Sequence, residues 1–274
     1  MDHSSIKLYI FTGKGGVGKT TLAFSFTRYL RSLGKNAKYV TFKNQSLGEN
    51  HQNQTEMKNT FDVPTLMLDL EDSAKAYVEK KLKSGMIAGW MVKTPFFRAL
   101  INMVPGFNYL IFLGRILEEI KHGENDPIMV LDAPASGHAL TMMEATQNFQ
   151  QIFESGSVFE DTSKMLSALL DPKFTRIHII SLPTMMSWHE AQDLKIELDK
   201  RTPVGKAITI NNCLSLGLPK STEALPKALE QKIANERQLL DQEQGQYILA
   251  LPHSLSENDD KIQQDILGSL EKLV

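Results

Sequence analysis

The stretch IFTGKGGVGKTT, residues 10–21, constrains this chain more than any other. Gly13-x-x-x-x-Gly18-Lys19-Thr20 is the pattern of a phosphate-binding loop, and each position has a physical reason. Gly15, Gly16 and Gly18 let the backbone turn so that its N–H groups converge on phosphate oxygens, with Gly13 and Val17 completing the loop. The helix that follows adds a partial positive charge at its N-terminus. Lys19 is expected to reach the β- and γ-phosphates of ATP, and the Thr20 hydroxyl to ligate Mg²⁺, which takes hard oxygen ligands. Thr21 is placed to hydrogen-bond the α-phosphate. Such a loop needs a strand before it and a helix after it, and both are legible: IKLYIF (6–11), then TTLAFSFTRYLRSLG ending at Gly34.

Further strands are expected at 37–42, 127–134, 175–183, 205–212 and 246–252. Most are continuous apolar runs, the mark of strands buried on both faces. Helical patterns occupy roughly 137–153, 157–170, 185–200, 222–241 and 258–272. This alternation predicts an α/β chain: a P-loop NTPase with a mostly parallel, doubly wound sheet and helices on both faces. Residues 1–274 read as a single domain, with 65–124, wholly helical in pattern, as a helical insertion subdomain. Within it, residues 85–114 are strongly apolar, and two readings stand: a packed core, or a groove for a hydrophobic peptide.

P-loop enzymes hold the magnesium shell with a carboxylate at the end of a neighbouring strand. IMVLDAPASGH supplies Asp132 there, with Mg²⁺ contact expected through water. Gly137 can offer a backbone N–H to the γ-phosphate, and His138 beside it either senses nucleotide state or orients the loop.

The form KGGVGKTT, with lysine at its second position, is the deviant version of the loop, and DAPASGHALTMM (132–143) resembles a second signature, D-T-A-P-T-G-H-T-L-R. Together they make the chain similar to the ATPases of arsenical pumps and of tail-anchored-protein targeting. ISLPTMMSWHEA (180–191), with Pro183 and Glu190, and TINN (209–212) resemble later segments of that family, as does LALPHS (249–254). The resemblance implies that Asn211 reads adenine and that Pro252 and His253 lie in the adenine-side loop. It also implies a nucleotide-dependent homodimer, or a heterodimer with a paralogue, in which Lys14 crosses the interface to the partner's phosphates. There it would act like an arginine finger.

Two departures limit what carries over. The family's second strand is followed by S-T-D-P-A-H-S, whose aspartate positions the attacking water; here Lys43 falls in its place, with Glu49 and Asp62 as alternative carboxylates. A lysine cannot polarise water as a carboxylate does, so ATP turnover is expected to be slow. The family's metal-binding cysteines are missing too. Cys213 is the only cysteine, which excludes a disulfide, a cysteine zinc site within one chain and a cysteine cluster for arsenite.

Composition narrows the partners. Thirty basic against 32 acidic side chains, a net charge of −2, argue against nucleic acid. No basic n-region opens the chain and no window reaches about 18 apolar residues, so no stable membrane insertion and a cytoplasmic location are expected. Two further readings remain open: a nucleotide-gated scaffold with little hydrolysis, and a partitioning or cell-division ATPase, against which the acidic start of the last helix counts.

Overall fold

The computed structural model describes residues 6–43, 63–82, 94–95, 106–134, 140–145, 147–148, 157–218, 225–254 and 266–274. Strand β1 (Leu8–Gly13) is buried at every position because it runs between two parallel neighbours. On one side lies β4 (Ile128–Asp132), with Phe11 opposite Asp132; on the other lies β5 (Thr175–Ser181), with Gly13 opposite Ile180. Beyond them come β2 (Ala37–Phe42) and β3 (Thr65–Leu68) on one flank, and β6 (Gly205–Cys213) and β7 (Leu249–Pro252) on the other. The order is β3-β2-β4-β1-β5-β6-β7, and every recorded pair is parallel. Chain order therefore runs to one side after β1 and to the other after β4. The crevice beyond the carboxyl ends of β1 and β4 is the switch point where open α/β sheets take ligands.

Parallel strands need crossovers, and helices cover both faces. Helix α1 (Lys19–Ser32) packs Leu22, Phe24, Phe26 and Leu30 on one face, against Tyr9, Phe11, Tyr39 and Val130. Leu270 and Leu273 of a C-terminal 3-10 turn join that layer. The opposite face receives α3 (Phe107–His122) and α5 (Met185–Asp199), with Trp188 fully buried, plus Leu239 of α7 (Lys227–Gln242). Helix α2 (Leu70–Leu82) packs on α3, and α4 (Ser157–Leu170) leads into β5. A short α6 (Leu214–Gly217) follows β6. Among the described residues no helix is long and apolar enough to cross a membrane.

Among the described residues the strands and the helices expected at 157–170 and 185–200 lie within a few residues of where the sequence places them, and three differences have a physical reason. Strand β1 runs on to Gly13, because its pairing with β5 continues past the last apolar residue. Helix α7 starts after Pro226, a residue that suits a helix N-terminus, rather than at 222. Residues 65–124 are not wholly helical: Thr65–Leu68 form β3, an edge strand paired parallel to β2. Four residues carry too little periodicity to distinguish a strand from a helical turn. Pro64 precedes it, where a missing N–H costs nothing, and its carbonyl accepts from the Tyr39 N–H. Of the apolar stretch 85–114, the described end belongs to the core: Tyr109, Leu110, Phe112 and Leu113 are buried, and the Phe112 ring meets Phe42 at 5.1 Å. Residues 83–93 and 96–105 lie outside the described residues, as does most of the expected helix 258–272.

His178, on β5, is buried among Tyr9, Phe11 and Phe26. Loss of water, then the positive charge of Arg176, push its pKa down to about 3, against a smaller opposing contact with the Leu273 backbone. The folded chain keeps this imidazole neutral, while the unfolded chain protonates it as pH falls below about 6.5. Its contribution is fully present above that value and drains away as pH falls towards 3. The stability difference between the wild type and His178→Phe should therefore move about 2 kcal/mol in favour of phenylalanine from pH 8 to pH 5, read by urea unfolding. A difference independent of pH would contradict a neutral buried His178.

Candidate functional site

The loop between β1 and α1 is shaped by its glycines. Gly18 takes a left-handed conformation, φ 90°, as the residue capping α1, and its carbonyl accepts from the Leu22 N–H. A side chain there would also strike Asn211, since a Cβ would lie 2.3 Å from Asn211 Nδ2. No side chain caps α1 and no acidic residue lies in its first turn. The first N–H groups and the positive end of the helix thus face the loop, the arrangement that attracts phosphate. Val17 is buried with Leu22 and Phe24 and anchors the loop from below. Lys19 extends back over the loop, its Nζ donating to the Lys14 carbonyl at 2.8 Å. Thr20 and Thr21 open α1, and Gly15 and Gly16 have open space around them.

Asp132 meets this loop from the end of β4. Thr20 Oγ1 donates to Asp132 Oδ2 at 2.7 Å, joining residues 112 apart in sequence. A hydroxyl and a carboxylate at the positive end of α1 are hard oxygen donors, a set that suits Mg²⁺. A second hydroxyl reaches the same oxygen: Tyr39 Oη donates to Oδ2 at 2.8 Å. Burial, then the neighbouring Asp132 charge, hold the Tyr39 phenol well above its ordinary pKa, so it stays a donor. Tyr39 is absent from the motif reading. The available signal was a tyrosine inside a buried strand, because a buried phenol needs a partner for its hydroxyl.

The far side of the loop rests on β6. There Ile210 pairs with Ala250 and Cys213 with Pro252, so β6 carries one extra residue, a bulge at Asn211–Asn212. Asn212 takes φ 68°, a left-handed conformation asparagine tolerates. The bulge aims Asn211 at the loop, where its Nδ2 donates to the Val17 carbonyl at 3.0 Å. Asn211 thus braces the loop. The ring of His253, just after Pro252, hydrogen-bonds the Asn212 side chain, and its backbone N–H donates to the Cys213 carbonyl.

Two charged contacts bear on the expected chemistry. Lys14 Nζ pairs with Glu190 Oε1 of α5 at 2.5 Å, and both side chains are about half exposed, 49% and 39%. Lys43, at the position of the family's water-positioning aspartate, pairs with Asp69 Oδ2 at 3.3 Å. Asp69 Oδ1 accepts the Asp72 N–H at the start of α2. Partial burial works to raise the Asp69 pKa, but the Asp72 N–H, Lys43 and the Glu71 N–H together hold it below the usual carboxylate range. Its two oxygens are engaged, one by a helix terminus and one by Lys43. Gly137, His138, Glu49 and Asp62 lie outside the described residues.

A family model described as anion-transporting ATPase matches residues 6–158, which include the loop, β2 and Asp132. The chain is similar to ATPase BagA of Mycobacterium tuberculosis, 22% identical over 234 residues that make up 76% of this chain and 66% of the relative. It is also similar to the arsenical pump-driving ATPase of Acidiphilium multivorum, 25% identical over 231 residues, 78% of this chain and 36% of the relative. The arsenical pump-driving ATPase of Escherichia coli is 24% identical over 242 residues, 82% of this chain and 38% of the relative. The chain spans just under two thirds of the mycobacterial relative's length and little over a third of the arsenical ones.

Proposed function

The chain belongs to the anion-transporting ATPase family, and from that premise we propose that it binds Mg·ATP and closes as a dimer around it. The observation that supports the reading is the Thr20–Asp132 hydrogen bond at 2.7 Å, a hydroxyl and a carboxylate side by side at the loop, oxygens of the kind that suit Mg²⁺. Lys19 and the backbone N–H groups of residues 13–18 hold the phosphates, and Thr21 contacts the α-phosphate. Asn211, Pro252 and His253 receive the adenine, with Asn211 Oδ1 accepting from its amino group. Gly137 supplies a backbone donor at the γ-phosphate.

Lys14 acts in trans in this reading. Its pairing with Glu190 does not oppose that role. An ion pair this exposed is worth under about 1 kcal/mol, whereas a nucleotide's phosphates offer several negative charges across a drier interface. Closure makes Lys14 exchange one anion for a stronger one. The helical segment around α2 and α3 transmits the movement to a client or partner, a hydrophobic peptide being the client class its apolar stretch suits.

Arsenite is not that client. Cys213 is fully buried, and burial followed by the Glu236 charge pushes its pKa up to about 12, so no soft thiolate is presented. A second reading is favoured by the Lys43–Asp69 pair: a nucleotide-gated scaffold that hydrolyses little, because the carboxylate that meets the switch-position lysine is engaged by it.

The deciding experiment is light scattering of the purified chain with Mg²⁺ and a slowly hydrolysed ATP analogue. The wild type is expected to shift from monomer to dimer. Lys14→Ala is expected to bind the analogue and remain monomeric. A nucleotide-saturated wild type that stays monomeric would remove the closing-dimer reading.

A further inference from the structure

Asp132 Oδ2 accepts two hydroxyl hydrogen bonds, from Thr20 and from Tyr39, within 0.1 Å of each other in length, 2.7 and 2.8 Å. The Thr20 bond belongs to the phosphate-loop pattern. The Tyr39 bond does not: it comes from the middle of β2, and no position of the motif asks for a hydroxyl there. Register explains how it arises. Tyr39 lies opposite Val130, and side chains alternate along β4, so Tyr39 shares the α1-facing side of the sheet with Val130 and Asp132. The Phe24 ring of α1 meets Tyr39 edge-on, with centroids 5.3 Å apart, and fixes the phenol from above. Tyr39 is 2% exposed and Asp132 5%, so this hydrogen bond is sheltered from water.

We propose that Tyr39 is a positioning residue for the metal: by occupying Oδ2 together with Thr20, it fixes the plane of the Asp132 carboxylate and directs Oδ1 at the water shell of the bound Mg²⁺. The proposal rests on the Mg·ATP reading above. A carboxylate turns easily about its terminal torsion, and a single donor leaves that turn open. Two donors from different elements, one on α1 and one on β2, close it. Outer-shell groups that orient a metal's ligands are worth about 10–100-fold in metal affinity; Asp132 is such a group here and Tyr39 holds it in place, so the low end of that range is the expected effect. The Tyr39 hydroxyl also meets the Thr41 side chain, but Tyr39 touches neither nucleotide nor metal in this arrangement, so its effect on the metal passes through Asp132.

The test separates metal from nucleotide. Mn²⁺ is titrated into protein saturated with a slowly hydrolysed ATP analogue, and free Mn²⁺ is followed by electron paramagnetic resonance. Analogue affinity is measured separately in EDTA. Tyr39→Phe is expected to weaken Mn²⁺ binding about tenfold while leaving the EDTA affinity unchanged. Phe24→Leu, which loosens the packing on Tyr39 but keeps its hydroxyl, serves as the packing control. It is expected to lower the melting temperature and bind Mn²⁺ like the wild type. Equal Mn²⁺ affinity in the wild type and Tyr39→Phe overturns the assignment, and so does a parallel loss of metal and metal-free nucleotide affinity. A Phe24→Leu chain that loses Mn²⁺ as Tyr39→Phe does would make Tyr39 a packing residue only. A wild type that binds no nucleotide under either condition takes down the Mg·ATP reading together with this one.

Discussion

Lys19→Ala is expected to weaken ATP binding at least about 100-fold, a loss of about 3 kcal/mol, while leaving the fold intact. The lysine opens α1 above a loop whose backbone donors are neutral, so in the proposed Mg·ATP reading its ammonium supplies the mobile full charge for the β- and γ-phosphates. Charge-assisted hydrogen bonds to phosphate are the strong kind, and alanine removes them without a substitute. Without nucleotide the change is small, because the Lys14 carbonyl that Lys19 contacts at 2.8 Å lies at the surface and water replaces the bond. Calorimetric titration with ATP and Mg²⁺ checks the affinity, and thermal unfolding without ligand checks the fold. Binding within a few-fold of the wild type would mean that the loop does not hold phosphate as assigned. The same variant is the blank for turnover. With Lys43 and Asp69 paired where a water-positioning carboxylate is wanted, the wild-type rate is expected to rise only slightly above it. A brisk rate would retire the scaffold reading.

Gly13→Ala is expected to destabilise the chain by about 3 kcal/mol or more, with no ligand involved. Gly13 ends β1 at φ 143°, a conformation that L side chains rarely adopt. A Cβ there would lie 2.3 Å from the Ile180 carbonyl oxygen and 3.3 Å from the Ile180 nitrogen. These are backbone atoms of β5 paired in register with Gly13, so relief means moving a central strand. Both costs, strain and overlap, fall on one residue. Urea unfolding measures the loss, and stability within about 1 kcal/mol of the wild type would contradict the close approach of β1 to β5.

Much of the site was legible because its chemistry is local. A glycine-rich turn followed by lysine and threonine specifies the loop and the helix start within nine residues, 13–21. Asp132 was legible from context, as an acid closing an apolar strand, and Thr20 meets it across 112 positions. Cross-strand relations were harder. Strand β3 was hidden by its length, and with it the placement of Asp69 beside Lys43. Glu49 and Asp62, the alternative water-positioning carboxylates, lie near Lys43 along the chain. The carboxylate that Lys43 meets, Asp69, lies just past the end of the next strand over.

Lys14 shows the same divide. Its place in the loop marks it as surplus to phosphate binding, but that it rests on Glu190, 176 residues away, follows from how α5 packs on β5, the neighbour of β1. Tyr39 and Asp132, 93 residues apart, meet because β2 and β4 pair in one register; a shift by one residue would turn Tyr39 to the other face. The sequence by itself determined the phosphate loop, the parallel α/β order and the acid at the end of β4, since backbone conformation and burial pattern act between near neighbours. Only the tertiary structure decided which side chains share a face and which charges meet, because register and crossover geometry join residues that no spacing along the chain relates.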